Sequence, residues 1–70
     1  MRRYRIDSSA ISAVGYDEAS RTLELEFVSG AVYDYDGVPP DEVLALLEAE
    51  SRGRYFDDHI RGPYSYRRVA

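Results

Sequence analysis

The sequence contains no cysteine and no lysine, and His59 is its single histidine. Without cysteine there are no disulfides and no thiolate metal sites, and one histidine cannot build a multi-histidine metal centre. Most of the usual nucleophiles and general bases are therefore missing, and the chain reads as a non-enzyme with no expected cofactor. No apolar run is long enough to span a membrane, and the start, MRRYRIDSS, soon turns polar. Neither a membrane span nor a basic-then-apolar leader is expected, which points to the cytoplasm.

Seventy residues make one domain, 1–70, near the lower size at which a chain folds alone, with roughly 60% of the unfolded surface removed from water. Its stability has to come from packing or self-association. The net charge of −4 is segregated along the chain. Residues 1–6 carry +3 from Arg2, Arg3 and Arg5, residues 7–50 carry −10 with Arg21 as their only cation, and residues 51–70 return to +3. Every cation is arginine. Arginine favours planar, bidentate or stacked contacts with phosphates, bases or carboxylates, although a GC-rich genome produces the same preference.

The stretch at residues 23–47 organises the rest. Leu23-Glu24-Leu25-Glu26-Phe27 alternates strictly, which predicts a half-buried strand with both glutamates in water. A three-residue connection, Val28-Ser29-Gly30, with Gly30 left-handed, sets Phe27 opposite Ala31, Leu25 opposite Tyr33 and Leu23 opposite Tyr35. A two-residue turn would set the tyrosines against the glutamates instead. Asp36-Gly37 ends the second strand, and Pro40 suits a first helical position, with Asp41 and Glu42 near the positive end of the helix. Val43, Leu44, Leu46 and Leu47 form its expected buried stripe.

The flanks are shorter and less periodic. Tyr4 and Ile6 alternate with Arg3 and Arg5 as in an edge strand. Asp7-Ser8-Ser9 reads as a turn, since a nucleophilic serine needs a positioned base and an oxyanion hole. Residues 11–16 read as the first strand of a meander, with Gly15 marking a bulge or a close backbone approach. Asp7, Asp17, Glu18, Asp34 and Asp36 lack the spacing of a calcium loop. Asp34 and Asp36 read as the solvent-facing alternates of a strand, so no metal is expected. Gly53 reads as a left-handed helix end. Tyr55, Phe56, His59 and Ile60 mark a second short helix, closed by Gly62-Pro63. Residues 64–69 alternate again, as a last edge strand or an extended arm. The expected architecture is an α+β domain, a three-stranded antiparallel meander with two short α-helices packed on one face.

Residues 8–17, 23–39 and 51–69 together resemble the KTSC domain, the module named after the C-terminal extension of some lysyl-tRNA synthetases. The likeness rests on Tyr33-Asp34-Tyr35, on Gly37-Val38-Pro39, and on Ser51, Gly53, Tyr55 and Phe56. In combination and order these are fairly specific. The resemblance implies that stand-alone bacterial copies exist, and it brings no established catalytic residue. RNA binding is suggested for the family largely through the synthetase association.

Two functions from different classes follow. Arg52, Arg54, Arg61, Arg67 and Arg68 are interleaved with Tyr55, Phe56, Tyr64 and Tyr66, a composition suited to arginine on phosphate and rings on bases in single-stranded RNA or tRNA. Against this, Tyr55 and Phe56 also suit a core, and the acidic middle of the chain would repel phosphate unless it faced elsewhere. The alternative is a protein partner or self-association through the arginine-aromatic tail or an exposed strand edge. The direction of the tyrosines separates the two.

Overall fold

The computed structural model describes all residues, 1–70. The alternation at 23–27 emerges as strand β3 (Thr22–Phe27), which lies at the centre of an antiparallel sheet ordered β1-β2-β3-β4-β5. Its neighbours are β2 (Ile11–Asp17) and β4 (Val32–Tyr35), and the short strands β1 (Arg3–Arg5) and β5 (Tyr66–Arg68) form the two edges. The sheet thus has five strands rather than the expected three. A strand of three residues shows hardly one period, and each edge is defined by pairing with its neighbour rather than by its own sequence.

The bulged register is the one observed. Leu23 pairs with Tyr35 and Leu25 with Tyr33. Phe27 N–H donates to Ala31 O at 2.9 Å, and Gly30 takes φ +97°. One sheet face therefore carries Leu23, Leu25, Tyr33 and Tyr35. Between β4 and β5 the chain lays α1 (Pro40–Glu48) and α2 (Arg52–Tyr55), the latter running into a π-helical turn at Phe56–Ile60. Val43, Leu46, Phe56 and Ile60 close the core over Ile11, Val14, Leu23, Leu25 and Tyr35. Leu44, expected in that stripe, is 55% exposed.

Local devices explain the ends. Pro39 precedes α1, Pro40 occupies its first turn, and Asp41 and Glu42 face its positive end. No basic residue stands in the last turn, but Arg52 reaches back from the next helix. Its Nε and Nη2 donate to Leu47 O at 3.1 and 2.9 Å, and its Nη1 donates to Asp7 O at 2.9 Å. One guanidinium thus satisfies an orphan helix carbonyl and pins the turn before β2. Ser51 Oγ caps α2 by accepting from Arg54 N–H, and Ser8 Oγ accepts from Ala10 and Ile11 N–H, as its reading as a turn residue requires.

Three other expectations are corrected. Gly53 is not a left-handed helix end, since it lies inside α2, where a Cβ would stand 2.9 Å from the Ala10 Cβ. Its missing side chain lets α2 approach the start of β2. Asp34 is not solvent-facing but 7% exposed, and the Glu24 side chain is only 13% exposed. The edge strands bring Arg3 and Arg67 over that face.

Candidate nucleic-acid interface

Pairing across β4 and β5 decides where the C-terminal residues point. Tyr66 lies opposite Tyr35 and Arg68 opposite Tyr33, so these share the core-side face, while Arg67 lies opposite Asp34 on the other. Beyond the helices the core-side face opens into a cleft of about 430 Å³ lined by Phe27, Ser29, Ala31, Tyr33, Tyr35, Phe56, Arg61 and Tyr66. Its rings pack edge to face, with centroids 5.2 Å apart for Phe27–Phe56, 5.5 Å for Tyr35–Phe56 and 6.0 Å for Phe27–Tyr33. Tyr66 leans on Tyr33 and Tyr35 at 5.8 and 5.9 Å yet remains 65% exposed. Burial, more than the neighbouring phenols, pushes the Tyr35 hydroxyl up to about 12. At the rim, the Arg61 side chain is 73% exposed and meets Asp57 at 3.4 Å.

The opposite sheet face holds the acids of the strands. Arg3 lies 3.6 Å from Glu24 and 3.7 Å from Glu26, and Arg67 lies 3.4 Å from Asp34 and 2.9 Å from Asp36. Glu24 pairs directly with Asp34 across the ladder. Burial, followed by the neighbouring Asp34 carboxyl, holds the Glu24 carboxyl above the ordinary glutamate value.

The residues expected to bind RNA are therefore divided. Arg61, Tyr66 and Arg68 belong to the aromatic face, although Arg68 Nε also donates to Ala70 O. Arg67 serves the acidic face and Arg52 is committed to backbone carbonyls. Arg54 projects into a separate polar groove with Glu50, Ser51, Tyr55, Asp58 and His59. Tyr64 and Tyr55 both donate to Glu42, and that bond is the main reason the Tyr55 hydroxyl is pushed up to about 12. His59 stacks on Tyr55 with centroids 4.3 Å apart. Phe27, Ser29 and Ala31 were not expected at the site. The hairpin register that sets Phe27 beside Ala31 is the signal that places them there.

A match to the KTSC domain runs over residues 7–66. The chain belongs to the KTSC domain family. A protein of Stutzerimonas stutzeri is 48% identical over 67 residues, which is 96% of this chain and 93% of that protein. The lysine–tRNA ligase of Nostoc punctiforme is 34% identical over 64 residues, which is 91% of this chain but 11% of the ligase. The crystal structure of a KTSC domain protein from Yersinia pestis superposes with a TM-score of 0.95 at 36% identity, covering 99% of this chain and 97% of that one.

In this KTSC domain the motif residues divide between cleft and scaffold. Tyr33, Tyr35 and Phe56 line the cleft. Gly37, at φ +75°, turns Val38 inward, where it is fully buried and donates its N–H to Arg21 O at 2.9 Å. Pro39 then leads into α1, and Gly53 gives α2 its close approach to Ala10. Tyr55 holds Glu42 from the outside. Cleft residues from Phe27 to Tyr66 fall within the match at residues 7–66, whereas Arg67 and Arg68 follow it.

Proposed function

We propose that this KTSC domain is a small, non-enzymatic binding module for RNA, acting in the cytoplasm and presenting its aromatic cleft to single-stranded segments of RNA or tRNA. The observation that carries this reading is the sorting of charge by the sheet. Glu24, Glu26 and Asp34 lie on one face against Arg3 and Arg67, while Tyr33, Tyr66, Arg61 and Arg68 lie on the other. The strand acids thus lie away from the surface an RNA strand would meet, where Asp57 is the acid paired with Arg61. Stacked rings beside arginine are the usual platform for unpaired bases. The presence of this segment within a lysine–tRNA ligase gives the reading a context in which RNA is at hand. No helix is long and apolar enough to cross a membrane.

The non-enzymatic part of the reading is supported by the site's chemistry. The cleft is lined by rings, one alanine, one serine and one arginine, with no carboxylate or imidazole in that lining to move a proton. His59 is at the surface against Tyr55, in a different groove.

Fluorescence anisotropy with single-stranded RNA and with tRNA at two salt concentrations tests the proposal. A variant with Arg61 and Arg68 both changed to alanine should bind more weakly and with a smaller salt dependence. Absence of binding by the wild type at low salt sinks it. Self-association through the unpaired edges of β1 and β5 then becomes the reading to pursue, with sedimentation as its measurement.

A further inference from the structure

Building on the RNA reading, we propose that the cleft between β4, β5 and Phe56 seats one unstacked nucleobase, its ring against Tyr66 and Tyr33 and its phosphate on Arg61. The geometry points to a planar guest. Phe27, Tyr35 and Phe56 form a floor of interlocked edge-to-face rings, and Tyr66, tilted against Tyr33 and Tyr35, is a wall that stays 65% exposed. A volume near 430 Å³ falls at the small end of ligand pockets, and its walls are mostly rings, three of them tyrosines whose hydroxyls add polar groups beside Ser29 and Arg61. Arg61 stands on that rim, opposed by Asp57 alone at 3.4 Å, with both side chains largely exposed. An exposed pair of that kind is worth little, so a phosphate can take the guanidinium from it. The acids of the sheet, Glu24, Glu26 and Asp34, lie behind the strands and do not face this guest.

The test uses a short oligoribonucleotide in which one position is a fluorescent adenine analogue, compared with the same oligomer made abasic there. Seating predicts quenching of the analogue on binding and an affinity about tenfold or more above that of the abasic oligomer. Tyr66→Phe should preserve both effects, whereas Tyr66→Ala should abolish the quenching and the difference between the oligomers. Tyr66 is on an exposed edge strand, and overlaid circular-dichroism melts would confirm that the variant is folded. Equal affinity for the two oligomers, or quenching that survives Tyr66→Ala, overturns base seating while leaving RNA binding intact. No binding of either oligomer overturns both. Changes in the cleft amides on protein dilution without RNA assign the cleft to a second copy of this chain, and likewise overturn it.

Discussion

Glu24 and Asp34 face each other directly across β3 and β4 on the side of the sheet away from the helices. Asp34 Oδ1 is buried without a hydrogen-bond donor among the charged groups around it. Arg67 approaches the other oxygen at 3.4 Å, and Arg3 approaches Glu24 from the opposite edge at 3.6 Å. Two carboxylates so placed repel unless one holds a proton. Burial, then Asp34, raises the Glu24 carboxyl in that direction, and in the pH range where it is protonated its proton can serve Asp34 Oδ1.

This makes stability depend on pH with a definite sign. Glu24 is raised above its ordinary 4.5 in the folded chain, so the native state binds more protons than the unfolded chain. The contribution is complete below the ordinary value and is lost as pH rises through the raised one. Urea unfolding from pH about 4 to about 7 should show wild type losing stability relative to Glu24→Gln, which keeps a donor at every pH. Parallel profiles for the two proteins contradict the shared proton.

Gly53→Ala should destabilise the fold despite the better helix propensity of alanine. The new Cβ would lie 2.9 Å from the Ala10 Cβ, and overpacking of this kind costs about 1–3 kcal/mol against a propensity gain of about 1 kcal/mol. Ala10→Gly in the same chain should recover much of the loss. A double-mutant cycle with no coupling between the two positions would count against the close approach.

Arg52→Ala should cost about 1–3 kcal/mol, because Leu47 O and Asp7 O lose a charged donor. Arg52→Lys should recover little, since an ammonium lacks the planar fork that serves both carbonyls. Arg54→Ala, two positions along and exposed, should stay within about 0.5 kcal/mol of wild type. Thermal denaturation of the three variants provides the comparison, and equal losses for Arg52→Ala and Arg54→Ala would contradict the staple.

Leu25→Ala and Leu46→Ala remove side chains with no exposure and should each cost about 2–5 kcal/mol, enough to unfold much of so small a domain. Leu44→Ala, at 55% exposure, should change little. A Leu44 variant as damaging as the Leu46 one would show that α1 is rotated from the face described.

What could be read from the sequence was what depends on neighbours in the chain. The register of β3 against β4 followed from alternation and Gly30, and Pro40 marked the start of α1. Gly53 was misread because its position after a helix imitates a stop signal, whereas its true constraint is Ala10, more than forty residues away in the chain. The burial of Asp34 was hidden because it depends on β5 pairing and on Arg67 closing over it. The C-terminal arginines looked like one basic patch in sequence, yet alternation along β5 sends Arg67 to the face opposite Tyr66 and Arg68. At the site, Tyr66 and Arg61 were named from composition, but the ring floor under them came from the hairpin.

Backbone amide chemical-shift mapping of the labelled domain during titration with single-stranded RNA tests the two-faced sheet most directly. The account predicts salt-sensitive shifts centred on Phe27, Ala31, Tyr33, Tyr35, Phe56, Arg61, Tyr66 and Arg68, with Gly15 and Glu24 unmoved. Shifts centred on β1 and the Glu24–Asp34 face, or no shifts at low salt, would contradict it.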